Sequence, residues 1–149
     1  MGTVEKTPAR LTAKPSWLLG QVAVHAHRLA ADGFAAVGTR GYHYRILSAL
    51  DEFGAASQAD LGRRVAMDRS DVVATLNELA GQALVERTPD PDDRRRNIVT
   101  LTKEGARQLK RADQALDQVQ DDLLAPLSAA ERDALTGMLA RLLAHHRQD

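Results

Sequence analysis

The sequence predicts a mainly helical chain carrying one small β-hairpin, and three observations lead there. Phe, Tyr and Trp supply only 3% of the residues while 44% are hydrophobic, so the core is built from Leu, Val and Ala, which favour helices. Apolar residues recur at spacings of three and four through most of the chain. One stretch breaks that rhythm: TPDPDDRRRNIVTLT, residues 88–102, where Pro89 and Pro91 forbid a helix and a β-branched run follows.

Each element can be justified in order. Ser16 after Pro15 reads as an N-cap for a helix with Leu18, Leu19, Val22, Ala26 and Leu29 on one side, running to Ala36. Gly38 and Gly41 break the chain before a second helix containing Tyr44, Ile46, Leu47, Ala49, Leu50 and Phe53, stopped at Gly54. Ser57 with Asp60 starts a short helix through Val65, and Asp68 with Asp71 starts the next. That helix buries Val72, Leu76 and Leu79, which leaves Arg69, Ser70, Asp71, Ala74, Thr75 and Glu78 outward. The turn at Ala66 and Met67 between them fits a helix-turn-helix. Leu84–Thr88 and Asn97–Thr102 are the strands of a hairpin wing, and PDPDDRRR is its tip. Beyond Thr102 a heptad-like seam of Leu109, Ala112, Leu116, Val119 and Leu123 runs to Pro126. Ser128 and Glu131 then form a capping-box pattern for a last helix bearing Leu135, Met138, Leu139, Leu142 and Leu143.

The expected organisation is one domain, 1–149: a winged helix-turn-helix lobe at 40–102, and helices 16–36 and 103–147 forming a dimerisation part. The terminal helices carry more apolar surface than so small a lobe can cover, which points to a homodimer. Trp17 belongs to its core.

Composition excludes several function classes. There is no cysteine, hence no disulfide, thiolate metal site or cysteine nucleophile. His25 and His27 are two apart and His145 and His146 adjacent, neither being the i, i+4 spacing of a helical metal site, so no metal or other cofactor is expected. No nucleophile with a convergent base and no Gly-rich phosphate loop occurs, so the chain is not read as an enzyme and has no catalytic residues. Residues 1–16 are polar and no apolar run spans a bilayer, so no membrane partner and a cytoplasmic location are expected. The Met-Gly start would suit myristoylation, but Lys6 stands where that motif needs Ser or Thr.

Lys and Arg total 20, as do Asp and Glu, yet the charges are segregated. Residues 84–111 hold eight bases against five acids, and residues 112–149 three against seven. A locally basic surface binds phosphate whatever the total charge, because screening confines the interaction to about 8–10 Å.

From about residue 40 to 111, around the stretch YRILSALDEFGAASQADLGRRVAMDRSDVVATLNELAGQALVERTPDPDDRRRNIVTLTKEG, the chain resembles the DNA-binding lobe of the MarR (multiple-antibiotic-resistance regulator) family. The tokens are the SQADL helix start, the helix ending in LNELAGQALVER, and DPDDRRR closing on VTLTKEG. The resemblance implies a homodimeric transcriptional regulator, commonly a repressor, that binds double-stranded palindromic operators and is often released by small aromatic or anionic effectors. It places DNA contacts at Ser57, Gln58, Arg69, Ser70, Asp71, Ala74, Thr75, Arg94, Arg95 and Arg96, with Arg95 matching the arginine that enters the minor groove. It places an effector pocket near His25, Arg28, His43 and Tyr44.

Three departures bear on this reading. Ala74 stands where many members are basic, Asp71 brings a carboxylate to the presented helix start, and Ala83 replaces a common Gly. Asp71 can cap the helix with Asp68 or accept from a cytosine amino group. Ala83 disfavours a left-handed cap, so the helix is expected to fray or end earlier, at Gly81. Asp93 is read as orienting Arg87 or Arg95 rather than touching DNA. The rival reading is a winged-helix protein-interaction module without DNA binding.

Overall fold

A computed structural model describes residues 6–148. The Met-Gly start, on which the acylation reading turns, lies outside them. In chain order the elements are α1 (Ala9–Thr12), α2 (Pro15–Ala36), α3 (Gly41–Phe53), β1 (Ala56–Ser57), α4 (Gln58–Val65), α5 (Arg69–Gly81), β2 (Val85–Pro89), β3 (Asn97–Leu101), α6 (Lys103–Leu123) and α7 (Ala129–His146). The fold is mainly helical with a small antiparallel sheet, the winged helix-turn-helix architecture. Among the described residues no helix is long and apolar enough to cross a membrane.

Most helix starts follow the side-chain chemistry. Ser57 accepts from the Asp60 amide at 3.2 Å, Thr102 from Gly105 at 3.0 Å, and Ser128 with Glu131 forms a reciprocal capping box. Two starts differ from expectation. Pro15 occupies the first turn of α2 with Lys14 as N-cap, so Ser16 lies inside the helix; proline's fixed φ and missing N–H suit it to that position. Asp68 is the N-cap of α5, but its side chain makes no capping bond, so the expected Asp68–Asp71 box does not form.

The sheet has three strands in the order β1-β3-β2. The hairpin registers Val85 opposite Leu101 and Pro89 opposite Asn97. The third strand was not expected: Ala56 and Ser57 pair with Val99 and Ile98, and two residues are too short for an alternation to be read. Ile46, Leu47, Leu61, Leu76, Leu79, Val72 and Val99 are almost completely buried and join α3, α4, α5 and the sheet into one core.

Tight turns carry local strain. Ala66 (φ 52°) ends α4 and Ala83 (φ 59°) follows α5, both in the left-handed region. That conformation costs an alanine on the order of 1–2 kcal/mol. The helix ends at Gly81 as expected, yet Ala83 still takes the strained left-handed turn. Its gain is visible: the Leu84 amide donates to the Leu79 carbonyl at 2.9 Å, and Leu84 and Val85 are delivered into the core.

The terminal helices divide their apolar surface. The α6 seam is used within the chain, with Leu109, Ala112 and Val119 buried and α2 lying against it. Gly33 permits that approach, since a Cβ there would lie 2.6 Å from Val119 Cγ2. The other faces are uncovered: α7 buries no residue, α2 buries only Phe34, and Leu18, Leu19, Val22, Met138, Leu139, Leu142 and Leu143 are all exposed.

Candidate nucleic-acid interface

Clefts that share residues join α4, α5 and the wing into one continuous surface. A small cleft of about 170 Å³ between the start of α4 and the wing is bordered by Ser57, Gln58, Ala59, Arg95, Arg96 and Asn97. Gln58 and Ala59 also border a groove of about 520 Å³ between α4 and α5, whose far wall includes Arg69 and Val73. Those two residues continue onto the outer face of α5 beside Ser70, Ala74 and Asn77.

The wing tip is folded by its own acids. The Asp92 amide donates to Asp90 Oδ1 (2.9 Å) and the Arg95 amide to Asp93 Oδ1 (3.0 Å), two Asx turns within seven residues. The Asp90 amide closes the loop on the Arg96 carbonyl at 2.8 Å. Arg94, Arg95 and Arg96 are all exposed in consequence. The Arg95 side chain is 95% exposed, with Nε 3.7 Å from Asp93 Oδ1, a long contact in water that restrains the side chain only weakly. Arg87, the other partner considered for Asp93, instead donates from Nη1 to Asn77 Oδ1 at 2.7 Å, linking β2 to α5.

On α5 the presented face is turned relative to expectation. Arg69, Ser70, Val73, Ala74 and Asn77 are exposed, Asp71 is half-buried, and Thr75 is fully buried with its hydroxyl unpartnered. Thr75 therefore cannot present its hydroxyl to DNA in this conformation. It continues the stripe of Val72, Leu76 and Leu79 at spacings of three and four, and its polar type masked a position that the helical period places inside. The same period would have shown Val73 and Asn77, which the sequence reading missed. Ser57 is largely buried at the edge of the small cleft, where its hydroxyl caps α4 while also holding the Asp60 carboxyl below the usual carboxylate range.

Glu78 is exposed, as expected, and one of its oxygens is engaged within the chain. Its Oε2 accepts from His43 Nε2 at 2.6 Å and from Arg40 Nη2 at 2.7 Å, and these donors, His43 foremost, hold its pKa low. His43 is thus a buried tie between α3 and α5. His25 and Arg28 pair with each other at 3.1 Å on the exposed side of α2.

Tyr44 ties α3 to α2 and α6. Its hydroxyl donates to Asp113 Oδ1 at 2.6 Å, its ring lies 5.2 Å from that of Phe34, and burial followed by the Asp113 carboxylate pushes its pKa up to about 12. It borders a cavity of about 780 Å³ with Arg45, Ser48, Glu52, Phe53, Arg63, Arg64 and Arg147, but not with His25, Arg28 or His43. Arg64 lies over the Phe53 ring at 5.2 Å. Among the described residues no group of three His, Cys, Asp or Glu side chains is placed to hold a metal ion.

Residues 38–96 match the family model described as MarR family. The chain is 34% identical to a Pseudomonas aeruginosa protein described as a probable transcriptional regulator, whose crystal structure superposes with a TM-score of 0.78 over 89% of this chain and 99% of that one. The transcriptional repressor CouR, solved bound to a 23-mer DNA duplex, is 28% identical with a TM-score of 0.84, over 93% of this chain and 99% of CouR. The HTH-type transcriptional repressor NicR of Pseudomonas putida is 34% identical over 97 residues, 65% of this chain and 61% of NicR. The chain spans about three fifths of the length of the first curated relatives it matches. The winged lobe, its arginine-tipped hairpin and these likenesses agree, and the chain belongs to the MarR family.

Proposed function

We propose that the protein is a homodimeric, sequence-specific DNA-binding repressor that recognises an inverted-repeat operator. The observation that carries this reading is the continuous surface from the α5 face through the α4–α5 groove to the wing, edged by Arg69, Arg94, Arg95 and Arg96. In it α5 enters the major groove, with Arg69, Ser70 and Ala74 toward base edges and Gln58 toward the backbone. Arg95 reaches the adjacent minor groove, where a narrow A·T-rich section concentrates negative potential, while Arg94 and Arg96 meet phosphates. Asp71 supports the helix start through the dipole. Residues 40–102 are the DNA lobe; 16–36 and 103–147 form the dimer base through the uncovered stripes of α2 and α7.

Two recognition helices about 34 Å apart fit half-sites whose centres are roughly 10 bp apart. Selection from a random duplex library followed by footprinting should recover an inverted repeat with that spacing and symmetric protection. Failure to enrich any sequence would instead favour a protein-interaction module.

The effector reading centres on the cavity beside Tyr44. Its arginines and the Tyr44 and Phe53 rings suit a small aromatic acid, with Arg64 or Arg45 holding the carboxylate in place of Arg28. Such a ligand acts through its different affinities for DNA-competent and incompetent lobe spacings. Salicylate-like acids should release DNA from wild type and release it poorly from Arg64→Ala; release that is identical in both would place the site elsewhere.

A further inference from the structure

The exposed face of α5 is apolar at its centre. Val73 is 36% exposed and lies with Ala74 between Ser70 and Asn77, bordering both the α4–α5 groove and the outer face. Around that centre the acceptors are engaged or set to the edge: Asn77 Oδ1 accepts from Arg87 at 2.7 Å, Asp71 is half-buried, Oε2 of the exposed Glu78 carboxylate accepts from His43 and Arg40, and Asp68 lies at the N-terminal end of the face. The middle of the face presents two methyl-bearing side chains, flanked by the Ser70 hydroxyl, the Asn77 amide N–H groups, the Arg69 cation and, at the helix start, the Asp68 carboxylate.

In the major groove each base pair presents a distinct pattern, and the one apolar feature among them is the thymine 5-methyl group. A face with methyl groups at its middle complements that feature, and its carboxylates lie at the edges rather than at that middle. The arginines around it at Arg63, Arg69 and the wing tip give the rim the charge that phosphate attracts, so the occupant suited to this apolar patch is DNA. Resting on the DNA-binding reading above, we propose that Val73, with Ala74 beside it, reads thymine methyl groups in each operator half-site, and that this contact sets sequence preference where the family often uses a basic residue.

Deoxyuridine tests this cleanly, because it removes the methyl group and leaves base pairing and every groove donor and acceptor in place. Each thymine of the selected operator is replaced in turn and affinities are measured for wild type and Val73→Ala. Val73 is partly exposed, so unchanged thermal unfolding of the variant serves as the folding control. In wild type at least one thymine per half-site should lose about fourfold in affinity on replacement, the equivalent of one buried methyl group, and about sixteenfold when both half-sites are changed. In Val73→Ala the thymine and deoxyuridine duplexes should bind alike at that position. Specific binding with no sensitive thymine, or a sensitivity that persists in Val73→Ala, overturns this inference alone. An absence of specific binding to any duplex overturns it together with the DNA-binding reading.

Discussion

Gly105→Ala should lose about 3 kcal/mol or more of stability, enough to leave little folded protein. Gly105 lies in the first turn of α6, where that helix leaves the sheet. A Cβ there would stand 2.1 Å from the Leu84 carbonyl oxygen and 2.7 Å from Leu101 Cδ1. The leucine side chain can move, but the carbonyl cannot move alone, because it accepts from the Thr102 amide at 3.2 Å. Thr102 is fixed further: its hydroxyl donates to the Ala83 carbonyl at 2.7 Å and accepts from Gly105. Accommodating the methyl means separating α6 from β2. Alanine's better helix propensity returns only about 1 kcal/mol. Gly81→Ala is the control, since nothing lies within 4 Å of its added Cβ and it should be neutral or mildly stabilising. Urea midpoints measure both; a Gly105→Ala midpoint equal to wild type would show that the close approach is wrong.

The second large effect should come from Leu139→Glu with Leu142→Glu. Both side chains are exposed on α7, a helix that buries none of its residues within the chain, at 40% and 49% exposure. The intrachain fold therefore tolerates the change, and far-ultraviolet circular dichroism should be retained. In the proposed dimer base the same positions would be buried, and four unpaired carboxylates across a two-fold axis could not be desolvated there. Sedimentation should show monomer where wild type is dimeric. DNA affinity should fall by roughly 100-fold or more, because the second half-site is no longer delivered at high effective concentration. A variant that remains dimeric would place the interface elsewhere than α7.

How much of this was legible depends on the range of the interaction. Side chains that act within one turn announce themselves: Ser57, Ser128, Gly54 and the prolines of the wing mark boundaries that the structure keeps. Interactions between distant segments do not. His43 and Glu78 are 35 positions apart, and nothing local marks either as the other's partner. Arg87 turns to Asn77 instead of Asp93 for the same reason. At Ala83 a real local preference is overridden, because the core contacts of Leu84 and Val85 outweigh the strain of one turn. On α5 residue type misleads where the helical period does not. Thr75 is polar and buried, Val73 apolar and exposed, and the outward face of the helix is set by Val72, Leu76 and Leu79 on its opposite side.

Equilibrium binding to the selected duplex across a salt series, for wild type and Arg95→Ala, tests most directly whether the wing and helix form a DNA-binding surface. Neutralising phosphates releases counterions, so the logarithm of affinity should fall steeply and linearly with the logarithm of salt. Arg95→Ala should weaken binding to all duplexes and make that slope shallower by roughly one unit for each phosphate it leaves unneutralised, while sequence preference is retained. A flat salt response in wild type, or an Arg95→Ala protein with unchanged affinity and slope, would contradict the assignment.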